Sequence, residues 1–421
     1  MGFFRMGLSI IATLGAMGAW AFLALWGAFE GYWMRPISAE GDYQSFFQRA
    51  VSRIDGVGHG AAALVLIDEG RVVGEYYGDG ERAVSADTVF PTASLSKWIT
   101  ALGVLHLAET GGIDLDAPVE TYLSRWQLPE GEFDNAGVTV ARLLSHTAGL
   151  TDGLGFGDYA GEETLPALEQ SLRAPRCSAC SDAVIAVGQE PGQGFVYSGG
   201  GYLVLQLVVE EVTGQSFASY MEETIFAPLG MENSSYDYVG VLPNVAPNYN
   251  AEGDIVPHFQ YAAAAATGFS SSARDLTRLS LALARADAEA PVSSGTLTQM
   301  RTPHARMFGQ PLWGLGAILY APTVDDDFVY GHDGANEPAI NAAVRINPRT
   351  GSAYIMLVTG NPRLATEIGA DWVLWQTGRP DVFSTEKAFM SAVAPSILGW
   401  AVILFAVASM ALLRRREVVG E

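Results

Sequence analysis

The sequence predicts an α/β protein in which one antiparallel sheet is built from both ends of the soluble chain. A helical lobe is inserted between those ends, and a transmembrane helix stands at each terminus. Three observations lead there. Strand-like hairpin patterns flank the soluble part, helical patterns fill its middle, and each terminus is a long uncharged apolar run.

The elements follow in chain order. Met6 to Phe29 is uncharged and slightly exceeds the roughly 20 apolar residues a membrane-spanning helix needs. Ala19-Trp20-Ala21 would suit signal-peptide cleavage, but the apolar run continues past it, so residues 6–29 are read as an anchor. Tyr32 to Asp42 is a linker into a catalytic domain over 42–382. Ala63 to Ile67 and Val72 to Tyr77 are β-prone runs separated by Asp68-Glu69-Gly70, a hairpin signal. Trp98 to Thr110 carries apolar residues at helical spacing and stops at Gly111-Gly112. Leu203 to Val212 and Phe217 to Phe226 also read as helices, and Ala262 to Ala266 is a small low-complexity patch without an assigned role. Ala342 to Ile346 and Tyr354 to Thr359 flank a turn-rich stretch and form a second hairpin. Sheet material at both ends with helices between is most economically one sheet with an inserted lobe. Val393 to Leu413 is the second uncharged run, followed at once by Arg414, Arg415 and Arg416. Arginine excess marks the cytoplasmic side, and Arg5, just before the first apolar run, points the same way for the N-terminus. Both termini are therefore expected inside the cell membrane, with the domain between them periplasmic or extracellular.

Composition narrows the function classes. Of 421 residues 49% are hydrophobic and 17% charged, which excludes a disordered chain. The formal charge of −22 repels phosphate backbones, so no nucleic-acid partner is expected. Cys177 and Cys180 are the only cysteines. No second pair completes a zinc site and no thioredoxin-like pattern surrounds them, so a local disulfide in an oxidising compartment is the preferred reading. No metal or organic cofactor is implied, and no G-x-S-x-G elbow, H-E-x-x-H or phosphate loop occurs.

Ser94-Leu95-Ser96-Lys97 opens the Trp98 helix. Residues three apart share a helix face, which brings the Lys97 amine beside the Ser94 hydroxyl. A serine hydroxyl is a poor nucleophile without a neighbouring base, and the helix N-terminus favours developing negative charge. By itself S-x-x-K occurs by chance in many chains. Two further stretches accompany it, Tyr197-Ser198-Gly199-Gly200-Gly201 and Gly331-His332-Asp333-Gly334-Ala335.

In order and spacing these three elements resemble the class C β-lactamase, D-alanyl-D-alanine peptidase and β-lactamase-like esterase group, with its S-x-x-K, Y-x-N and K-T-G or H-x-G motifs. Leu143 to Leu150, Pro228 to Met231, Thr267 to Ser271 and Trp313 to Gly316 match supporting segments of that group. The resemblance covers roughly residues 45–380 and implies a β-lactamase/transpeptidase-like fold. It assigns Ser94 as nucleophile, Lys97 as proton shuttle and Tyr197 as general base or activator of the deacylating water. It also implies an oxyanion hole from the backbone N–H groups of Ser94 and Ala335, close backbone approach at Gly334, and His332 as a donor lining the acyl pocket. His146 is expected to support the helical lobe, while His59, His106, His258 and His304 match nothing.

Two positions depart from the pattern. Gly199 replaces the asparagine of Y-x-N, and His332-Asp333-Gly334 replaces K-T-G. Asp333, if it faces the site, would repel a carboxylate beside the scissile bond. The expectation is a membrane-anchored serine hydrolase acting on a small-molecule or peptide acyl substrate, with ester or amide cleavage ahead of D-Ala peptidase or β-lactamase activity. The rival is a non-catalytic acyl receptor of the penicillin-binding type.

Overall fold

The computed structural model describes residues 2–78, 83–152, 158–176, 184–285, 289–324 and 327–419, with side chains at 8–78, 83–152, 159–176, 184–285, 289–324 and 327–413. Cys177 and Cys180 lie outside the described residues, as do the side chains of Arg5 and Arg414 to Arg416. The chain divides into two compact units, one of Gly41–Gly369 and one of Met1–Glu40 with Ala370–Glu421.

The larger unit is organised by strands β1 (Ala61–Asp68), β2 (Arg71–Gly78), β3 (Val89–Pro91), β4 (Asp158–Ala160), β5 (Phe259–Tyr261), β6 (Ser270–Ser272), β7 (Ala305–Met307), β8 (Gln310–Trp313), β9 (Ile318–Pro322), β10 (Phe328–Asn336), β11 (Ile340–Asn347) and β12 (Ser352–Thr359). Eight form one sheet in the order β2-β1-β12-β11-β10-β9-β8-β7, every pair antiparallel. The two hairpins read from the sequence are present. Glu69 (φ 47°) and Gly70 (φ 72°) both take left-handed backbone between β1 and β2, as a two-residue hairpin turn demands. The expected union of the two chain ends is the β1–β12 pairing, Ala61 opposite Thr359 through Ile67 opposite Ala353. β1, β11 and β12 are buried along nearly their whole length, which fits their apolar sequences and means that both sheet faces are covered.

On β11, Ala342, Val344 and Ile346 join the core shared with the helical lobe, while Asn341 and Arg345 turn to the other face and bond to Thr366. Within the lobe, the Ser96–Glu109 helix is buried nearly all round, including Trp98, Ile99, Leu102 and Leu105. The helix expected over 217–226 is instead Phe217–Met221 followed by a wider turn over Glu222–Phe226. Pro228 has no N–H to give the carbonyl four residues back, so the regular ladder cannot continue there.

In the smaller unit, two segments are long and apolar enough to cross a membrane, Leu8–Phe29 and Val382–Leu413. Their helices, Gly2–Phe29 and Val393–Val419, pack antiparallel. Trp20 Nε1 donates to Pro395 O at 2.9 Å and Trp400 Nε1 donates to Met17 O at 3.0 Å. Gly399 admits the Trp20 indole, since a Cβ there would lie 1.8 Å from Nε1. Leu8, Ile11, Phe22, Leu398 and Phe405 stand exposed on these helices.

Candidate active site

Ser94 does not begin a regular α-helix, as its spacing suggested, but sits in a tighter turn, Ala93–Leu95, that runs into the Ser96–Glu109 helix. Ala93 holds φ at +50°, uncommon for a residue with a side chain. Several bonds hold it there. Thr92 donates to Phe269 O through both its N–H (3.1 Å) and its hydroxyl (2.8 Å). Ser96 Oγ donates to Ala93 O and accepts from Phe269 N at 2.9 Å. The second serine of the motif is therefore a buried clip, and Ser94 alone is left partly open to solvent.

Lys97 is 2% exposed. Its Nζ donates to Ser94 Oγ at 3.3 Å and to Ala266 O at 2.8 Å, and lies 4.9 Å from the Tyr197 ring centroid. The patch around Ala262 to Ala266, without a role in the sequence reading, thus supplies the carbonyl that holds the lysine. The structure brings Ser94, Lys97 and Tyr197 together although Tyr197 follows Ser94 by 103 positions in the chain.

Tyr197 is fixed from both flanks by one residue. Val196 N–H donates to His146 O at 2.8 Å, and Ser198 N–H donates to His146 Nδ1 at 3.1 Å. The His146 ring lies 4.3 Å from the Tyr197 ring, tilted by 33°. Burial, reinforced by the Lys97 charge, pushes His146 well below the usual imidazole range, so the ring is neutral and Nδ1 carries the lone pair that Ser198 needs. Beyond Tyr197 the chain enters the Gly200–Thr213 helix through Gly199, the residue in the asparagine's place. Asp152, 2% exposed, secures that entry. Its carboxylate accepts from Ser198 Oγ and from Gly200 N at 2.9 Å, and burial raises its pKa against the pull of those two bonds. Sequence reasoning missed Asp152, although it stands two residues after the quoted Leu143–Leu150 segment.

β10 closes the site. Gly334 is required, because a Cβ there would lie 2.0 Å from Thr92 O and 3.0 Å from Ser94 N. The strand backbone rests directly on the nucleophile's turn, with exposed Ala335 next along it opposite Asn341. His332, one residue before Asp333, is 1% exposed and packs edge-on to Trp313 at 5.2 Å. Burial first, then the Lys97 charge, lowers its pKa to about 3. Its Nδ1 faces Asp333 O, so Nδ1 bears the hydrogen and Nε2 the lone pair, which has no partner among the described residues.

Asp333 corrects the sequence reading. Cross-strand neighbours share a sheet face. His332 and Gly334 oppose Val344 and Ala342 on the lobe side, whereas Asp333 opposes Ala343 and points to the far side. There its carboxylate accepts from Arg345 at 2.7 and 3.3 Å and from Tyr320 Oη at 2.7 Å. It does not face the nucleophile and repels nothing there.

Several known proteins resemble this chain in sequence and fold. The profile of the Beta-lactamase family matches residues 47–379. A penicillin-binding protein of Bacillus subtilis is 33% identical over 158 residues, which are 37% of this chain and 32% of that protein. The esterase EstB of Burkholderia gladioli is 33% identical over 166 residues, 37% of this chain and 40% of that one. These matches span only about a third to two-fifths of those relatives. Among solved structures, the octameric penicillin-binding protein homologue from Pyrococcus abyssi superposes with a TM-score of 0.65 at 25% identity, covering 80% of this chain and 78% of that one.

Proposed function

The chain belongs to the Beta-lactamase family, and from that premise we propose that it is a membrane-anchored serine hydrolase that cleaves esters or small amides through an acyl-enzyme on Ser94. The observation that carries the reading is Lys97 Nζ, buried and 3.3 Å from Ser94 Oγ, with the Tyr197 ring beside it.

Ser94 Oγ adds to the substrate carbonyl carbon as its proton passes to the Lys97–Tyr197 pair. The oxygen that gains negative charge is bound by the backbone N–H groups of Ser94 and Ala335, with Gly334 allowing the strand to approach. The carbon–heteroatom bond then breaks, the leaving group takes the proton, and the acyl group remains on Ser94. Water then gives a proton to the Lys97–Tyr197 pair as its oxygen adds to the acyl carbon; the acyl carbon–Oγ bond breaks, the carboxylic acid leaves, and the pair returns the proton to Ser94 Oγ.

Substrate preference follows from His332 and Gly199. His332 is uncharged at neutral pH, so β10 offers no cation to a carboxylate beside the scissile bond. Gly199 offers no side-chain amide to an acylamino group. Both favour a neutral acyl substrate, in keeping with the relative named an esterase. The relative named a penicillin-binding protein keeps β-lactams and D-Ala peptides as the second reading. The two apolar segments anchor the chain, with the catalytic unit on the periplasmic or outer side.

Full-length protein in detergent is assayed with a fluorophosphonate probe, a p-nitrophenyl ester panel, nitrocefin and a D-Ala-D-Ala peptide. Ester turnover faster than nitrocefin hydrolysis is expected, with labelling abolished by Ser94→Ala and retained by folded Ser96→Ala. Labelling that survives Ser94→Ala would overturn the nucleophile. Stoichiometric acylation without turnover of any substrate would favour the acyl receptor.

A further inference from the structure

The hydrolase reading leaves one buried imidazole without a task. His146 has φ +56°, an unusual conformation for a side-chain-bearing residue, and is 2% exposed. Its backbone carbonyl and its Nδ1 accept from the residues immediately before and after Tyr197. Its ring face covers the Tyr197 ring. The contacts join two segments 52 residues apart, and both bonds fall on the backbone that aims the tyrosine. Phe195 and Trp313 pack edge-on to the same imidazole at 5.7 and 4.9 Å, so the ring has little room to turn.

We propose that His146 is the positioning residue for Tyr197, a two-point clamp that sets the angle of the phenol beside Lys97. The inference rests on the hydrolase reading of the site and goes beyond it in giving His146 a part in turnover without contact to substrate. The clamp needs an acceptor at the Nδ1 position. Neutrality of the ring is what keeps that acceptor available, since a protonated Nδ1 would present a second N–H to the Ser198 N–H.

Two substitutions of similar polarity separate this from a packing role. In His146→Asn, Oδ1 takes the place of Nδ1, and asparagine tolerates positive φ. In His146→Gln, the acceptor moves one bond farther out. Ester hydrolysis is measured for both in the full-length chain, alone and combined with Tyr197→Phe, with thermal melts to verify folding. His146→Gln is expected to lower kcat about 10- to 100-fold, the cost of misplacing a reacting group by a fraction of an ångström to an ångström, with KM little changed. His146→Asn should retain kcat to within about threefold, and in the Tyr197→Phe background His146→Gln should cost almost nothing further. Wild-type kcat in His146→Gln, the same fractional loss with and without Tyr197, or a folded His146→Asn that is as impaired as His146→Gln would each overturn the clamp alone. A wild-type chain that neither labels at Ser94 nor turns over an ester would overturn the hydrolase reading and this inference with it.

Discussion

Replacing Asp333 by alanine should cost stability without altering substrate choice. Arg345 is fully buried and the Asp333 side chain is 8% exposed. With the carboxylate gone, the guanidinium loses its bonds to both Asp333 oxygens, while Thr366 O at 3.2 Å and the face of the Tyr320 ring at 4.1 Å remain beside it. The Tyr320 Oη bond to the same carboxylate is lost as well. Removing one partner of a buried pair costs about 3–5 kcal/mol, because the remaining charge loses that interaction where water cannot replace it. Unfolding entropy near 2.1 cal/mol/K per residue over Gly41–Gly369 converts that loss to a Tm drop of roughly 4–7 °C. Thermal melts of the full-length protein and of Asp333→Ala provide the measurement, beside kcat/KM for a neutral ester and for a penicillin. A Tm drop below about 1 °C, or a changed ester-to-penicillin ratio in the folded variant, would refute the placement of this side chain behind the sheet.

Other outcomes follow from the same geometry. Gly334→Ala should nearly abolish Ser94 labelling, because the new methyl collides with Thr92 O and the Ser94 N–H; labelling at the wild-type rate would mean that β10 does not rest on that turn. His332 is held at about 3 when folded and takes up its proton near 6.5 when unfolded, so its contribution is complete above 6.5 and is lost as pH falls toward 3. From pH 8 to pH 5 that single group should remove about 2 kcal/mol in denaturant titrations, and His332→Gln should flatten the slope by that amount. A reporter fused after Glu421 should be active only in the cytoplasm, with residues 41–369 reached by protease from outside; cleavage near Ala21 would show a signal peptide instead.

The hairpins were legible because each pairs strand-forming runs with its own turn signal, as Glu69-Gly70 does. The three motifs of the site were legible as types and spacings. Asp333 was misplaced although strand alternation held the answer: with His332 and Gly334 set toward the nucleophile, the residue between them points away. Its partner Arg345 lies on the next strand and could be found only from the register. Ser96 and His146 were legible as members of motifs, but their bonds reach Phe269 and Ser198, and those distances in sequence carry no pattern. Ala266 offers Lys97 only a backbone carbonyl, which every residue possesses, so no sequence signal exists for it.

The β1–β12 pairing has a consequence for how the chain is made. β1 sits inside the sheet, yet the strand on its inner side is the last of the described strands in chain order, with Ala61 opposite Thr359. Until that stretch emerges, β1 and β2 form a lone hairpin with an apolar open edge, and isolated hairpins are marginal in water. Such distant pairings are slow to form because the loop between them must close before any contact is gained. The nucleophile's turn, which rests on β10 at Gly334, is likewise unsupported while the ribosome is still working through the lobe. Catalytic competence is thus acquired only once β10 to β12 have been made, and a nascent chain stalled before β12 carries its serine, lysine and tyrosine without the sheet that makes them a site.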